Sequence, residues 1–297
     1  MGSENIWREI GAAVRCATGE DFVVRKCHAI AGGCINSTYL IEDGARRFFV
    51  KVHGVSGLTM FEAEADGLRE IMTASAIRVP EPVCVGVAED SAFLVLEFID
   101  FSSGTRGWAE DFGLQLSDMH RVCAPQHGWR RDNTIGSTHQ VNTLSGNWPE
   151  FWRDRRLGCQ LALAASKGYG DILQRNGERL LAKVDGFFTG YVPLPSLLHG
   201  DMWGGNYAYT TTGEPVIFDP ATYYGDREVD LAMTELFGGF PAVFHAAYRE
   251  AFPLDAGYPM RKELYNLYHI LNHLNMFGAG YLGQAEEMIE ALLSKAG

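Results

Sequence analysis

The spacing of apolar residues changes near residue 100, from a pattern typical of strands to one typical of helices. Upstream, short runs of β-branched and aromatic residues predict strands, and one amphipathic segment predicts a helix over 61–73. Downstream, apolar residues recur mainly at helical spacing, apart from a strand-and-loop island over 196–220. The predicted strands are 22–30, 37–42, 47–52, 83–87 and 93–98, and the predicted later helices are 108–122, 148–166, 171–185, 229–237, 241–251 and 260–277. We therefore predict an α+β protein with a small β-rich lobe over 1–99 and a larger helical lobe over 100–297.

Composition and charge narrow the class of protein. The 297 residues are 46% hydrophobic and 21% charged, which is typical of a globular chain rather than a disordered one. No apolar run reaches the roughly 20 residues of a membrane-spanning helix. The formal net charge of −12 argues against nucleic acid as a partner. The six cysteines form no C-x-x-C pair, so we expect a reducing, cytoplasmic setting, with no membrane partner.

The most informative segment is LLHGDMWGGN over 197–206, followed by the apolar run Val-Ile-Phe and then Asp219. Asp201 and Asn206 are five positions apart, a separation at which a carboxylate can face a substrate hydroxyl while an amide oxygen faces a metal ion. A second carboxylate after a neighbouring strand suits the same metal. We predict Asp201 as the catalytic base and Asn206 and Asp219 as Mg²⁺ ligands. Taken alone, the first motif also fits a loop in which the Asp caps a turn.

The first lobe supplies a candidate clamp for a nucleotide. Lys51 alternates with Val50 and Val52 in a predicted strand, so its side chain leaves the opposite face. A lysine on a buried face requires a partner. Glu64 in the following helix is the predicted partner and Glu62 the fallback, and such a pair would hold the lysine against ATP phosphates. A solvated edge lysine beside a charged helix face is the alternative.

Two further segments suit nucleotide binding. Adjacent glycines over 31–37 allow backbone N–H groups to approach phosphates, although they also fit a hairpin turn. The candidate residues there are Gly32, Gly33, Cys34, Asn36 and Ser37. Downstream, the backbone of Glu97, Phe98 and Ile99 could hydrogen-bond an adenine edge.

Taken together, these motifs resemble the fructosamine-3-kinase (ketosamine kinase) family, a branch of the aminoglycoside and choline phosphotransferases with a protein-kinase-like fold. The resemblance runs from about residue 20 to 285. Its markers are GGCINS, HGW with DNTIGSTHQVN, FWRDRRLG, LLHGDMWGGN and FDPATYYGDREVDLAMTELFGGF. It implies phosphorylation of the 3-hydroxyl of ketosamines by ATP and Mg²⁺, after which the adduct decomposes and frees the amine. It also implies that Cys34 can form an intermolecular disulfide as a redox switch; a small residue in a tight turn is the alternative.

A small-molecule substrate, a ketosamine or glycated amine, is also indicated by the residues themselves. Ten residues separate Asp219 from Asp230, too few for the long activation segment of a protein kinase. Trp203 and His199, on either side of Asp201, are the candidate substrate contacts, with a core position beneath the loop as the alternative for the tryptophan. Asp230 is expected to brace the loop. Three other functions stay open: a related aminoglycoside- or choline-type kinase, a nucleotide-binding pseudo-enzyme and a metal-dependent hydrolase. The protein is expected to be a monomer or homodimer.

The remaining polar features favour structural roles. His269 and His273 are one helical turn apart but lack the glutamate of a metalloprotease motif, so we expect no metal there. His120, His127 and His139 are expected to be structural or to lie at the rim of the substrate site. The basic run Arg153, Arg155 and Arg156 predicts a solvated helix face.

Overall fold

The computed structural model describes residues 3–30, 35–102 and 108–296, with only the backbone described for Ser3 and Glu4. The chain divides into two compact units. The first comprises the described residues within 1–105 together with 208–218, and the second those within 106–207 and 219–297. No helix in these described ranges has the length and apolar character needed to cross a membrane.

The first unit is built on a five-stranded antiparallel sheet of strand order β1-β2-β3-β5-β4. Its helices and strands are α1 (Ser3–Thr18), β1 (Lys26–Ile30), β2 (Ser37–Glu42), β3 (Arg47–Gly54), α2 (Leu58–Ala74), β4 (Pro82–Ala88) and β5 (Ser91–Glu97). Helix α1 packs Ile10 and Val14 on one face of the sheet, against Val50 and Val95. Since side chains alternate along a strand, Lys51 leaves the other face, where α2 lies.

The second unit is mainly helical. Its helices are α3 (Ala109–Met119), α4 (Trp148–Phe151), α5 (Gly158–Ser166), α6 (Ile172–Leu181), α7 (Glu228–Thr234), α8 (Ala242–Ala251), α9 (Tyr258–Phe277) and α10 (Leu282–Lys295). Its strands are β6 (Asn133–Ile135), β7 (Thr138–Gln140), β8 (Ser196–Leu198) and β11 (Tyr223–Gly225). A π-helical turn, Trp152–Leu157, joins α4 to α5. Helix α9 runs through the core, with Leu264, Leu267, Ile270 and Leu271 buried. Strands β8 and β11 pair in antiparallel fashion and hold the loops that follow them.

Strands β9 (Tyr207–Tyr209) and β10 (Pro215–Ile217) form a hairpin whose place in the division of the chain differs from the predicted one. The prediction assigned 208–218 to the second lobe, whereas this segment groups with the first unit. Backbone hydrogen bonds explain the grouping, because Ile217 N–H donates to Arg78 O at 3.0 Å and Ser102 N–H donates to Tyr209 O at 2.8 Å. Such long-range pairing leaves no local signal in the sequence.

Most predicted elements are present, with ends that match or are shifted by up to four residues. The sequence prediction omitted α1, α10 and the β6–β7 hairpin. Helix α10 carried a usable signal, since its buried Ala285, Ile289 and Leu292 recur at helical spacing. The hairpin strands have three residues each, which is too short for a periodic pattern to emerge.

Candidate active site

The loop after β8 carries the predicted catalytic aspartate. Gly200 has φ +83°, and a Cβ at that position would lie 2.3 Å from Ala221 O. Only glycine fits this combination of backbone conformation and close approach. The neighbouring His199 O accepts a hydrogen bond from Ala221 N–H at 2.8 Å. The turn into Asp201 is therefore fixed against the segment that follows Asp219.

A buried carboxylate braces this loop. Asp230 accepts hydrogen bonds from His199 N–H at 2.7 Å and from Gly200 N–H at 2.8 Å. Its Oδ2 also lies 3.2 Å from His120 Nε2, and Tyr248 OH lies 2.8 Å from the other ring nitrogen of His120. Burial alone would raise the pKa of Asp230, but the hydrogen bond and charge of His120, the His199 ring and the Gly200 N–H outweigh it and lower that pKa. The structure thus shows the bracing contacts predicted for Asp230.

Asp201 and Asn206 are held together. Asn206 Nδ2 donates to Asp201 O at 2.8 Å and to Asp201 Oδ2 at 3.0 Å. Because the amide nitrogen makes both contacts, Oδ1 is the atom through which Asn206 would bind a metal. Burial raises the pKa of Asp201 to about 7; the charges of Asp219 and Asp230 add to the rise, and the Asn206 hydrogen bond opposes it. A carboxyl group in this environment suits proton transfer near neutral pH.

Asp219 has a strained backbone, with φ +59°. Non-glycine residues in this region cost free energy and cluster at functional sites. Its negative charge is close enough to raise the pKa of Asp201, so the site gathers anionic and amide oxygens. Within the described residues no cluster of three or more His, Cys, Asp or Glu side chains could hold a metal alone. The carboxylate of Asp219 and the amide oxygen of Asn206 are the kind of donors that suit Mg²⁺, which takes few protein oxygens and completes its shell with water and phosphate.

In the first unit, Lys51 Nζ lies 2.6 Å from Glu64 Oε1. The two side chains are only 5% and 11% exposed. Lys51 is the most deeply buried lysine of the five-stranded sheet. The structure therefore pairs Lys51 with Glu64, the partner that the helical spacing favoured over Glu62. The pairing rules out a solvated edge lysine, and the nucleotide-binding role stays a prediction.

The other predicted nucleotide contacts differ in how far the structure describes them. Gly32, Gly33 and Cys34, including the redox prediction, lie outside the described residues. Asn36 precedes β2, and among the described residues its buried Oδ1 has no hydrogen-bond partner. Ser37 begins β2 and is exposed.

Strand β5 ends at Glu97, and Phe98 and Ile99 follow it. Glu97 N–H already donates to Glu81 O at 2.8 Å, and its carboxylate accepts from Arg78 Nη2 at 2.6 Å. The Phe98 ring is covered by Arg47, 4.8 Å away. The Glu97 N–H is therefore already engaged, and the adenine contact through the backbone of Glu97, Phe98 and Ile99 stays a prediction.

The two predicted substrate contacts have opposite environments. Trp203 is 40% exposed and its ring lies over Gly205, so it is not a core residue beneath the loop. His199 is fully buried, and its Nδ1 accepts from Asp201 N–H at 3.2 Å. Since its side chain has no accessible surface, the predicted substrate contact at His199 is corrected: the ring positions the Asp201 backbone instead.

The sequence analysis missed a buried polar network behind the site. Asn133 Nδ2 donates to Thr222 O at 2.8 Å, and Gln140 Nε2 donates to Ala221 O at 3.1 Å. Both carbonyls belong to the segment after Asp219, which the network therefore fixes in place. The residues lie within the family marker DNTIGSTHQVN, which could have pointed to them.

Arg156 belongs to the same network. It is fully buried, donates to Asn142 Oδ1 at 2.7 Å and lies 4.1 Å from the centre of the Tyr223 ring. The prediction of a solvated face over 153–156 is therefore wrong for Arg156, because the π-helical turn rotates it inward. Arg153 and Arg155 are not fully buried.

The other histidines named in the sequence analysis differ in exposure. His139 is exposed, and its Nε2 lies 3.1 Å from Asp132 Oδ2. His120 and His127 are buried. Within the described ranges His269 Nδ1 and Nε2 have no hydrogen-bond partner, and burial lowers the pKa of His269 to about 3. His273 Nδ1 contacts the His269 carbonyl instead of converging with its ring on a metal position.

Comparison with known proteins identifies the family. The family model described as fructosamine kinase matches residues 6–295. The chain belongs to the fructosamine kinase family. It is 45% identical over 288 residues to a Synechocystis protein provisionally assigned as a ketoamine kinase, covering 97% of each chain. It is 42% identical over 279 residues to the chloroplastic protein-ribulosamine 3-kinase of Arabidopsis thaliana, covering 93% of this chain and 85% of that one.

Solved structures extend the comparison to the fold. A structure from Haemophilus somnus, provisionally assigned as a fructosamine-3-kinase, has a TM-score of 0.90 at 28% identity and covers 97% of this chain and 98% of its own. An aminoglycoside phosphotransferase has a TM-score of 0.62 at 13% identity, covering 96% and 98% of the two chains. That likeness concerns the fold alone. This fructosamine kinase family member therefore has the predicted two-lobe, protein-kinase-like α+β fold.

Proposed function

We propose that the protein transfers the γ-phosphoryl group of ATP to the 3-hydroxyl of a ketosamine. The observation that carries this proposal is the grouping of Asp201, Asn206 and Asp219 within one unit, on a loop braced by Asp230. The family assignment supports a kinase, and the named relatives are a ketoamine kinase and a ribulosamine 3-kinase.

Each residue has a distinct role in the proposed reaction. Asp201 Oδ1 or Oδ2 accepts a hydrogen bond from the substrate hydroxyl and takes its proton as the hydroxyl oxygen attacks the γ-phosphorus. The bond between that phosphorus and the β–γ bridging oxygen breaks, and ADP leaves. Asn206 Nδ2 keeps that carboxylate oriented. Asn206 Oδ1 and the Asp219 carboxylate would hold Mg²⁺, which when bound neutralises charge on the phosphates. Lys51, held by Glu64, would neutralise further phosphate charge.

The proposed substrate is a small glycated amine. Trp203 exposes 40% of its surface two residues after the proposed base, where an aromatic face can pack on a sugar. Only ten residues separate Asp219 from Asp230, and α7 already begins at Glu228, which leaves no room for a segment that docks a polypeptide. The cytoplasmic location and the monomer or homodimer state stay predictions.

The test is ATP turnover with ribulosyl-lysine and fructosyl-lysine, read by mass spectrometry of the phosphorylated product. Asp201→Asn should lower kcat by about 10²–10⁴-fold, the usual contribution of a positioned base, with nucleotide affinity nearly unchanged. Asp185→Asn, at an exposed position elsewhere in the second unit, is the matched control. If Asp201→Asn kept most of its rate, the assigned role would be wrong.

The other candidate functions make different predictions in the same assay. A kinase for aminoglycosides or choline would phosphorylate those alcohols and ignore both ketosamines. A nucleotide-binding pseudo-enzyme would bind ATP and phosphorylate none of them. A metal-dependent hydrolase is disfavoured, because among the described residues no group of three or more His, Cys, Asp or Glu side chains is arranged to hold a metal ion.

A further inference from the structure

A groove in the first unit takes no part in the proposed reaction. It lies between α1 and the segment that leads into β1, with a volume of about 470 Å³. This is in the size range of sites that bind small molecules or short peptide segments. Its depth comes from Gly11, which is buried and whose missing side chain would meet Val24 Cγ2 at 3.4 Å. Trp7 and Val24 give the groove apolar walls.

The charge of the groove is opposite to that of the protein. Its charged lining residues are all basic, namely Arg8, Arg15, Arg25 and Lys26, in a chain of formal net charge −12. Lys26 is paired with Glu42 at 3.1 Å, and Arg8 contacts the neutral amide of Asn5. For the exposed Arg15 and Arg25, the described part of the chain shows no ion pair. An unneutralised basic surface on an acidic protein favours an anionic partner.

The spacing of the basic groups suits an extended chain. Arg8 and Arg15 are seven positions apart on α1, which places them about 10 Å apart along the helix axis and on one face. In an extended peptide, side chains two and four residues apart share one face, and those four residues apart are separated by about 13 Å. Two carboxylates at that spacing can reach both guanidinium groups, since flexible arginine side chains cover the remaining distance, and the residue midway between them presents an apolar side chain to Trp7.

The backbone beside the groove is also open to an extended chain. Strand β1 is terminal in the five-stranded sheet, and among the described residues it pairs only with β2. Arg25 N–H likewise faces β2, since it donates to Glu42 O at 2.8 Å. An edge strand presents alternate N–H and C=O groups on its outer side, which can pair with an added strand.

We propose that this groove binds an extended acidic segment of a partner protein, with two carboxylates four residues apart on one face and an apolar residue midway between them. The arginines pair with the carboxylates, and the segment from Arg25 into β1 provides main-chain hydrogen bonds. The groove lining includes none of the residues proposed for phosphoryl transfer, so the proposal is tested independently of that activity.

The experiment uses the full chain and a fluorescein-labelled peptide of sequence Gly-Glu-Thr-Ile-Thr-Glu-Gly, and binding is measured by fluorescence anisotropy. Saturable binding is expected with a Kd of about 10–100 μM at low salt, weakening as salt rises. The double substitution Arg8→Gln with Arg15→Gln should weaken binding at least about tenfold, the loss expected for two charge pairs. The Arg8→Lys, Arg15→Lys protein should retain most of the affinity. Arg175→Gln, which removes an exposed arginine of α6, is the matched control and should bind normally.

Five results would overturn the proposal. One is equal binding of the Gly-Gln-Thr-Ile-Thr-Gln-Gly peptide, and another is equal binding by the double glutamine protein. The third is no saturable binding below about 1 mM, where ΔG of binding is too weak for a specific site. Inorganic tripolyphosphate that displaced the peptide at equal concentration would also contradict it, because the groove would then bind anions without regard to shape. Saturating ATP should leave peptide affinity unchanged; competition by ATP would place the peptide at the nucleotide site instead.

Discussion

Asp230 Oδ1 accepts a hydrogen bond from Gly200 N–H at 2.8 Å, and both residues are buried. Gly200 belongs to the proposed catalytic loop. The same carboxylate accepts from His199 N–H through Oδ2. A single side chain thus satisfies two consecutive backbone donors of a strained turn. Because the next residue is Asp201, the position of the proposed base depends on this contact.

Replacing Asp230 by Asn tests that dependence. The amide offers one acceptor oxygen, so one of the two backbone N–H groups is left unpaired in the interior. We expect a loss of about 2–3 kcal/mol in the free energy of unfolding and a fall in kcat with little change in KM for ATP. Urea denaturation and steady-state kinetics measure the two effects. Asp118→Asn, on the exposed end of α3, should change neither; an unaltered kcat in Asp230→Asn would contradict the positioning role.

A second prediction concerns Gly200→Ala. The added Cβ would meet Ala221 O at 2.3 Å while the backbone stays at φ +83°. We expect destabilisation of more than about 2 kcal/mol and a large loss of kcat, because the turn into Asp201 must shift. Gly204→Ala in the same loop meets nothing within 4 Å and is the matched control. Thermal unfolding and turnover should separate the two variants; equal behaviour would mean that the turn tolerates a side chain.

A third prediction concerns Lys51 and Glu64. Glu64→Gln keeps the shape of the side chain but removes the charge 2.6 Å from Lys51 Nζ. If the pair holds the ammonium group for a nucleotide, both Glu64→Gln and Lys51→Met should weaken ATP binding about tenfold or more. The double variant should lose little beyond Lys51→Met, since coupled residues are not additive. Isothermal titration with a non-hydrolysable ATP analogue measures this, with Glu62→Gln as the control. Strictly additive losses would exclude a shared role.

A fourth prediction is a pH dependence of stability. Burial lowers the pKa of His127 to about 4, below its ordinary value of 6.5. Between pH 6.5 and pH 4, His127 is therefore protonated in the unfolded chain but remains neutral in the folded protein. The free energy of unfolding falls as the pH drops through this range. Between pH 7 and pH 5 this costs about 2 kcal/mol.

His127→Phe removes the titrating group while keeping an aromatic ring beside Trp148, 5.0 Å from the His127 ring. Urea unfolding at both pH values should show a drop in stability smaller by about 2 kcal/mol than in the unchanged protein. His28→Phe, at an exposed position on β1, should leave the pH dependence as it was. An equal drop in the His127→Phe protein would show that His127 is protonated freely in the folded state.

Local patterns in the sequence determined the strands of the first unit, most helices of the second and the partnership of Lys51 with Glu64. The alternation of apolar residues in strands and their spacing in helices extend over only a few residues. Both patterns can therefore be recognised in a single sequence. The spacing of Asp201, Asn206 and Asp219 is likewise a short-range property of a loop and the strand after it.

Tertiary structure alone decided which polar groups are buried. It placed Arg156 in the interior against Tyr223 and buried the His199 side chain completely. It also grouped the 208–218 hairpin with the first unit. Each outcome depends on a partner more than 15 residues away along the chain. Burial and long-range hydrogen bonds arise only when segments distant in sequence pack together. The periodic patterns of apolar residues do not specify which distant segments these are.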